Sequence, residues 1–354
     1  MDLLTNFLTT IGEEVEDAEE ESFLLFSQDI PSANLGFVDS RATTIDLTIH
    51  DQDYTIHQSP TLLSSSRAGG TTGAVLWKIT PLIAEWLSNN TTTSSSSTKN
   101  TREINPLWTH NILTPTSTIV ELGSGISALL ALSLSPKIAH YIATDQEYVQ
   151  RLFRQNLDEN ASTITTTGGS RSSKSGKKST KASASSAARK SHQGHANATG
   201  NGNGNGNVIF TSLDWELDVA GSLKEGLGLC TTTTVDGSEE GGEEDKGFDV
   251  VVSCDCIYND ALVAPFVRTC ADLCRLRPVY TPPGTEGRGF SGTGSGGRTP
   301  TVCVIAQQQR SPEVFEAWLR ETLRVFRVWR VSDEMLGEKL MSGSGYLVHV
   351  LVLR

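Results

Sequence analysis

No apolar run in this chain reaches the length needed to cross a bilayer, which argues against a membrane-spanning protein. The opening stretch, Met1 to Glu21, is acidic and lacks the basic-then-apolar order of a secretory leader. The six cysteines (Cys230, Cys254, Cys256, Cys270, Cys274 and Cys303) include no Cys-x-x-Cys pair. That spacing argues against a zinc site or a disulfide framework. It suits a reducing compartment, the cytosol or the nucleus. The seven histidines have no ligand spacing, and none is given a chemical role. Four tracts have almost no apolar residues: 89–102, 161–207, 231–247 and 281–300. Such tracts bury too little apolar area to offset the entropy of ordering, so they read as disordered insertions in loops. Without them roughly 250 residues remain, the size of one α/β domain.

The charge is uneven. Residues 161–207 hold seven Lys and Arg and no acid, so the rest of the chain carries −19 against a total of −12. An acidic body repels nucleic acid and attracts basic proteins. The basic tract reads as a solvated spacer, with an RNA contact or a nuclear signal as the alternative.

Against this background one segment stands out. Ile119 to Leu122 is an apolar run containing Glu121, and Gly123-Ser124-Gly125 follows it, then a helix-length apolar stretch. Strand, tight glycine turn and helix start are how a nucleotide-binding loop begins. A second strand-like run ends in Asp145, twenty-two residues after Gly123. An acid at that distance suits hydrogen bonds to ribose hydroxyls, so an adenosine-containing cofactor is expected. The residue can also serve as the cap of the helix that follows.

Further along, 43–57 alternates as a β-hairpin, and 74–87 has helical spacing that includes Trp77. Strand-like runs at 118–122, 141–144, 208–210, 248–253 and 301–306 alternate with helical stretches. This predicts a parallel sheet covered by helices on both faces. The last two runs, 326–331 and 346–353, have only a short connection between them, which suits an antiparallel pair. Residues 1–42 read as an acidic, partly disordered extension, and 43–354 as one domain.

Five pieces occur in order: Gly73-Ala74-Val75-Leu76-Trp77, Glu121 to Gly125, Thr144-Asp145, Leu213-Asp214-Trp215 and Asp255-Cys256-Ile257-Tyr258. Together they resemble the seven-β-strand protein-lysine methyltransferases with a D-x-x-Y motif, in particular the fungal ribosomal lysine N-methyltransferase 5 type. The resemblance covers about residues 43–354 apart from the insertions. It implies an α/β, Rossmann-like seven-stranded sheet, mostly parallel with an antiparallel C-terminal hairpin. It implies S-adenosyl-L-methionine as cofactor, with Glu121, Gly123, Ser124 and Gly125 at its methionine and ribose end. Asp145 would take the ribose, Trp215 and Asp214 the adenine border, Trp77 a covering position and Cys254 a contact beside the D-x-x-Y segment. Asp255 would hold and orient the incoming lysine amine, and Tyr258 would line its channel. The implied partner is a basic, ribosomal protein substrate, met by a cytoplasmic or nuclear monomer without direct nucleic-acid binding by its folded core. The third small position of the glycine pattern is Ser127 rather than Gly, a departure that leaves the two key glycines in place.

Other readings stand beside this one. Trp77 can be a core residue and Cys256 a packing residue. Another methyl acceptor, an NAD-type Rossmann oxidoreductase and a catalytically inactive cofactor binder are the competing functions. The closing strand pair and the D-x-x-Y segment weigh against the oxidoreductase.

Overall fold

The computed structural model describes residues 3–31, 35–66, 70–90, 105–164, 206–232, 244–281 and 298–354. The four expected insertions lie, for most of their length, outside the described residues. The chain opens with helix α1 (Leu3–Ile11), strand β1 (Gly12–Val15) and helix α2 (Ala18–Phe26). A hairpin of β2 (Thr44–Ile49) and β3 (Gln52–His57) follows, with His50 and Asp51 at φ 48° and 64° making its tight turn. Then come α3 (Ile79–Ser88), β4 (Thr118–Leu122), α4 (Leu129–Leu134), β5 (His140–Asp145), α5 (Gln150–Ile164) and β6 (Val208–Ser212). The C-terminal part contains β7 (Val250–Cys254), α6 (Asp260–Cys274), β8 (Val302–Gln308), α7 (Pro312–Leu323), β9 (Phe326–Val331) and β10 (Tyr346–Leu353). Short helical turns and one two-residue strand pair, Thr231–Thr232 with Glu244–Asp245, fill the connections.

Eight strands form one sheet in the order β1-β9-β10-β8-β7-β4-β5-β6. The run β8-β7-β4-β5-β6 is parallel, while β10 is antiparallel to both β8 and β9. The predicted mixed α/β architecture is therefore present. The sheet has one strand more than the seven expected, because β1 pairs with the β9 edge. β4 and β7 are buried along their whole length, as expected of central strands covered on both faces. Alternate residues divide between two cores. Ile119 joins α1, α3, α4 and α5 on one face, whereas Val120 and Leu122 join α2, α6 and α7 on the other.

Two local readings are corrected. Helix spacing from residue 74 gave a helix containing Trp77, but α3 starts only at Ile79. Trp77 lies ahead of it, in an extended bridge to Phe37. The helix expected from Ile126 likewise begins at Leu129, because Ala128 takes a left-handed φ of 56° and so cannot continue a helical turn.

The N-terminal segment also differs from the partly disordered extension expected of it. Leu4, Phe7, Leu8 and Ile11 repeat at i, i+3, i+4, i+7 and are all buried in the first core. Three of its acids pair with β9. Glu14 accepts from Arg327 Nε at 2.6 Å, and Arg330 donates to Glu13 at 3.0 Å and to Glu21 at 2.8 Å. Asp17 caps α2 by accepting from Glu19 N and Glu20 N. Truncating the fully buried Phe7 to Ala should cost about 3 kcal/mol or more and lower the melting temperature by at least about 6 °C. Thermal unfolding monitored by circular dichroism checks this. An unchanged melting temperature would show that α1 does not contribute to the core.

Candidate active-site cleft

The chain runs outward from β4 to β5 and β6, then crosses back to place β7 on the other side of β4. The reversal opens a crevice at the carboxyl ends of β4 and β7, the usual ligand position in open α/β sheets. A cleft of about 990 Å³, including its part open to solvent, lies there. All eleven residues singled out from the sequence line it: Trp77, Glu121, Gly123, Ser124, Gly125, Asp145, Asp214, Trp215, Cys254, Asp255 and Tyr258. Thr72, Gly73, Gln146, Tyr148 and Cys256 line it too.

The floor is the turn after β4. Gly123 and Gly125 have φ of 71° and 59°, in the left-handed region that glycine enters without a Cβ penalty. Both Gly123 N and Ser124 N donate to Thr144 O, at 2.9 and 3.0 Å, tying the turn to β5. A Cβ on Gly123 would sit 2.3 Å from Cys256 Sγ. The segment before α3 closes on the turn from above, with Ile126 N donating to Gly73 O at 3.0 Å. Ser127, the departure from the glycine pattern, is buried with its Oγ accepting from Leu129 N at 3.4 Å. It thus supports the start of α4 without entering the turn.

The two acids at the floor behave alike. Asp145 accepts from Gly125 N at 2.8 Å and from Gln146 N at 2.6 Å. Burial raises its carboxyl to about 6 even though both amide bonds oppose the shift. Glu121 is 3% exposed and accepts from Tyr141 OH at 2.8 Å. Burial pushes it further, to about 8, so it is mostly a neutral acid at pH 7.

The far wall comes from the segment after β6. The Trp215 ring lies edge-on to Phe266 at 5.1 Å, and its buried Nε1 has no protein partner among the described residues. A buried indole N–H ordinarily has an acceptor, so this one is consistent with a bound ligand. Asp214 accepts from Glu216 N at 2.9 Å, which makes a tight turn at the same place.

At the mouth, Trp77 Nε1 donates to Thr72 O at 3.0 Å, and Thr72 Oγ1 lies 3.1 Å from Tyr258 OH. Tyr258 is 40% exposed. Asp255, at a left-handed φ of 62°, is buried. Its carboxylate is engaged by both terminal nitrogens of the Arg310 guanidinium, Nη1–Oδ1 at 2.5 Å, and accepts from Gln308 N at 3.1 Å. It is therefore not a free anion awaiting an ammonium, which alters the role read from the sequence. Arg310 itself carries no local motif. The only sequence signal for it is a charge two residues beyond the end of β8. Cys254 and Cys256 belong to opposite cores, although residues two apart in a strand share a face, because β7 ends at Cys254 and Asp255 takes a left-handed φ. Cys254 also lines the cleft, and burial pushes its thiol well up, so it stays un-ionised.

No family model matches the chain. Among curated proteins it is 28% identical over 293 residues to ribosomal lysine N-methyltransferase 5 of Zygosaccharomyces rouxii, covering 82% of this chain and 77% of that one. It is 23% identical over 343 residues to the protein of the same name from Vanderwaltozyma polyspora, covering 90% and 92%. A shorter match, 37% identical over 147 residues, is to diaminohydroxyphosphoribosylamino-pyrimidine deaminase of Schizosaccharomyces pombe. It takes in 41% of this chain, which spans about a third (32%) of that relative's length. Among solved structures, a SAM-dependent methyltransferase of Streptococcus mutans described as putative aligns with 88% of this chain and 56% of its own, at 7% identity and a TM-score of 0.40.

Gly123→Ala combines left-handed strain, about 1–2 kcal/mol, with the overlap against Cys256. It should lower the melting temperature and deform the cleft floor, and Gly123→Ala/Cys256→Ala should recover part of that loss. Equal destabilisation in the single and double variants, measured by denaturant unfolding, would show that the thiol does not set the limit.

Proposed function

We propose that the chain is an S-adenosylmethionine-dependent protein-lysine N-methyltransferase whose substrate is a basic ribosomal protein. The observation that carries this reading is the convergence of five sequence-distant segments on one cleft at the switch point of the sheet. The relatives that span most of the chain carry the name ribosomal lysine N-methyltransferase 5. The deaminase reading lacks support, since the chain contains neither a His-x-Glu nor a Cys-x-x-Cys, the pattern of a zinc deaminase. No helix among the described residues is long and apolar enough to cross a membrane.

The residues present fit the cofactor. Trp215 Nε1 is an unused donor on the wall. Asp145 uses one lone pair of each oxygen for Gly125 and Gln146 and keeps others for a ribose diol. Glu121, neutral at pH 7, keeps the floor from being doubly negative. Bound S-adenosylmethionine supplies an electrophilic methyl group. The chain must then deliver a neutral amine in line with it. A free lysine is neutral in only about one molecule in a thousand near pH 7.4, so the entrance must favour the amine. Tyr258, at the mouth with its hydroxyl beside Thr72, lines that entrance. The acidic body, −19 outside the basic tract, draws in a lysine-rich protein.

Incubating the protein with methyl-labelled cofactor and large-subunit ribosomal proteins should place label on a lysine found by mass spectrometry. Label absent from every lysine, with no cofactor binding by calorimetry, would sink the reading. Asp145→Ala should weaken cofactor binding at least tenfold without unfolding the protein, because it removes charge-assisted bonds to the ribose of roughly 1.5–3 kcal/mol each. The carboxylate is the accepting form, and it titrates near 6. Cofactor affinity should therefore be constant above that pH and fall as pH drops through about 6. Calorimetric titrations from pH 5 to 8 test this, and a flat profile would remove Asp145 from the ribose site.

A further inference from the structure

We propose that Arg310 is a positioning residue that keeps the cleft entrance electrically neutral, so that the entrance receives a substrate lysine as an amine and disfavours its ammonium form. This rests on the methyl-transfer reading. Asp255 lines the cleft, with its side chain only 2% exposed. A lone carboxylate there would stabilise an incoming ammonium and raise its pKa, which is the wrong direction for a nucleophile. Arg310 cancels that charge through a bidentate pair, and a guanidinium does not deprotonate in the working pH range.

The same guanidinium has a second contact. Its Cζ lies 4.7 Å from the centre of the Trp77 ring, and its Nη2 donates to Gln308 Oε1 at 3.0 Å. From Trp77 the contacts continue through Thr72 to Tyr258. One side chain thus both neutralises Asp255 and braces the aromatic wall of the mouth. The other groups around the entrance leave the balance unchanged near pH 7. Glu121 is raised to about 8, and the thiols of Cys254 and Cys256 and the phenols of Tyr258 and Tyr346 are raised by burial, so all are largely neutral. Of the other acids lining the cleft, Asp145, near 6, is held by two backbone amides, and Asp214 and Glu216 belong to the far wall, where Asp214 accepts from Glu216 N. A neutral entrance is therefore a property of the Arg310–Asp255 pair, and removing Arg310 alone should undo it.

The test uses the full chain saturated with S-adenosylhomocysteine and n-butylamine as a lysine side-chain probe, followed by calorimetry from pH 7 to pH 10. Wild type should bind the probe more tightly as pH rises toward the amine's pKa of about 10. Arg310→Met should bind it at least tenfold more tightly than wild type at pH 7. Arg310→Lys and Asp255→Asn/Arg310→Met, in which the charges again balance, should return to the wild-type pH profile. In methyl transfer, the acid limb of kcat for Arg310→Met should move up by about one pH unit, and the double variant should reverse that shift. A purely structural Arg310 would lower kcat without moving the limb. Tighter probe binding at pH 7 than at pH 10 by wild type would overturn the proposal, even if Arg310→Met does not fold. So would identical pH profiles in all variants. Failure of wild type to bind S-adenosylhomocysteine would instead defeat the methyl-transfer reading, and the same titration on the free protein would still decide the role of Arg310.

Discussion

The cleft depends on how closely the turn after β4 approaches the exit of β7. Cys256 Sγ occupies the space that a side chain at Gly123 would need. Its thiol is directed at Leu122 O, 3.4 Å away. Because Gly123 has no side chain, the floor of the cleft is bare backbone, and its left-handed φ lets the chain leave β4 and turn under the cleft at once. The neighbouring parts are arranged around this contact. Gly73 caps the turn from above, Thr144 O ties it to β5, and Asp145 reaches back to Gly125 N. The strand ends that carry Glu121, Asp145 and Asp255 are thereby held close enough to face one volume.

Charge is handled differently at the two ends of the sheet. Near the start of β7, Arg277 donates to Asp245 and Asp249 at 2.9 and 2.8 Å, while the buried Lys224 donates to Gly247 O at 2.6 Å and lies 3.3 Å from Asp245. These acids have cations, and the Asp245 carboxyl is held below its usual range by Arg277 and Lys224 against the opposing effect of burial. At the other end, Glu121 and Asp145 face the cleft without an ion-pair partner among the described residues, and burial raises both. Paired acids at one end stabilise the fold. Unpaired acids beside an open cleft are what a ligand site displays. Asp255 stands between these cases, being an acid of the cleft that has a cation of its own.

The central strands, the glycine turn and Asp145 could be read along the chain because each is specified locally. A fully apolar run, a Gly-x-Gly and an acid at a strand end need only near neighbours to have their meaning. The N-terminal segment was harder. Leu4, Phe7, Leu8 and Ile11 have clear helical spacing, but the acidic run that follows, Glu13 to Glu21, suggests a solvated tail until Arg327 and Arg330 of β9 are seen to pair with Glu14, Glu13 and Glu21. Those partners are some three hundred residues away, and nothing local marks them.

By itself, then, the sequence determined the α/β class, the order of strands and helices, and the set of residues at their ends, since these follow from apolar periodicity and from turns only glycine makes easily. The tertiary structure alone decided that β1 adds an eighth strand and that Trp77 precedes a helix and does not lie on one. It also decided that Asp255 belongs to Arg310 and is not free for a substrate cation. Those outcomes depend on which distant groups meet in three dimensions, and a carboxylate's role is set by the charge beside it, which its place in the chain does not reveal.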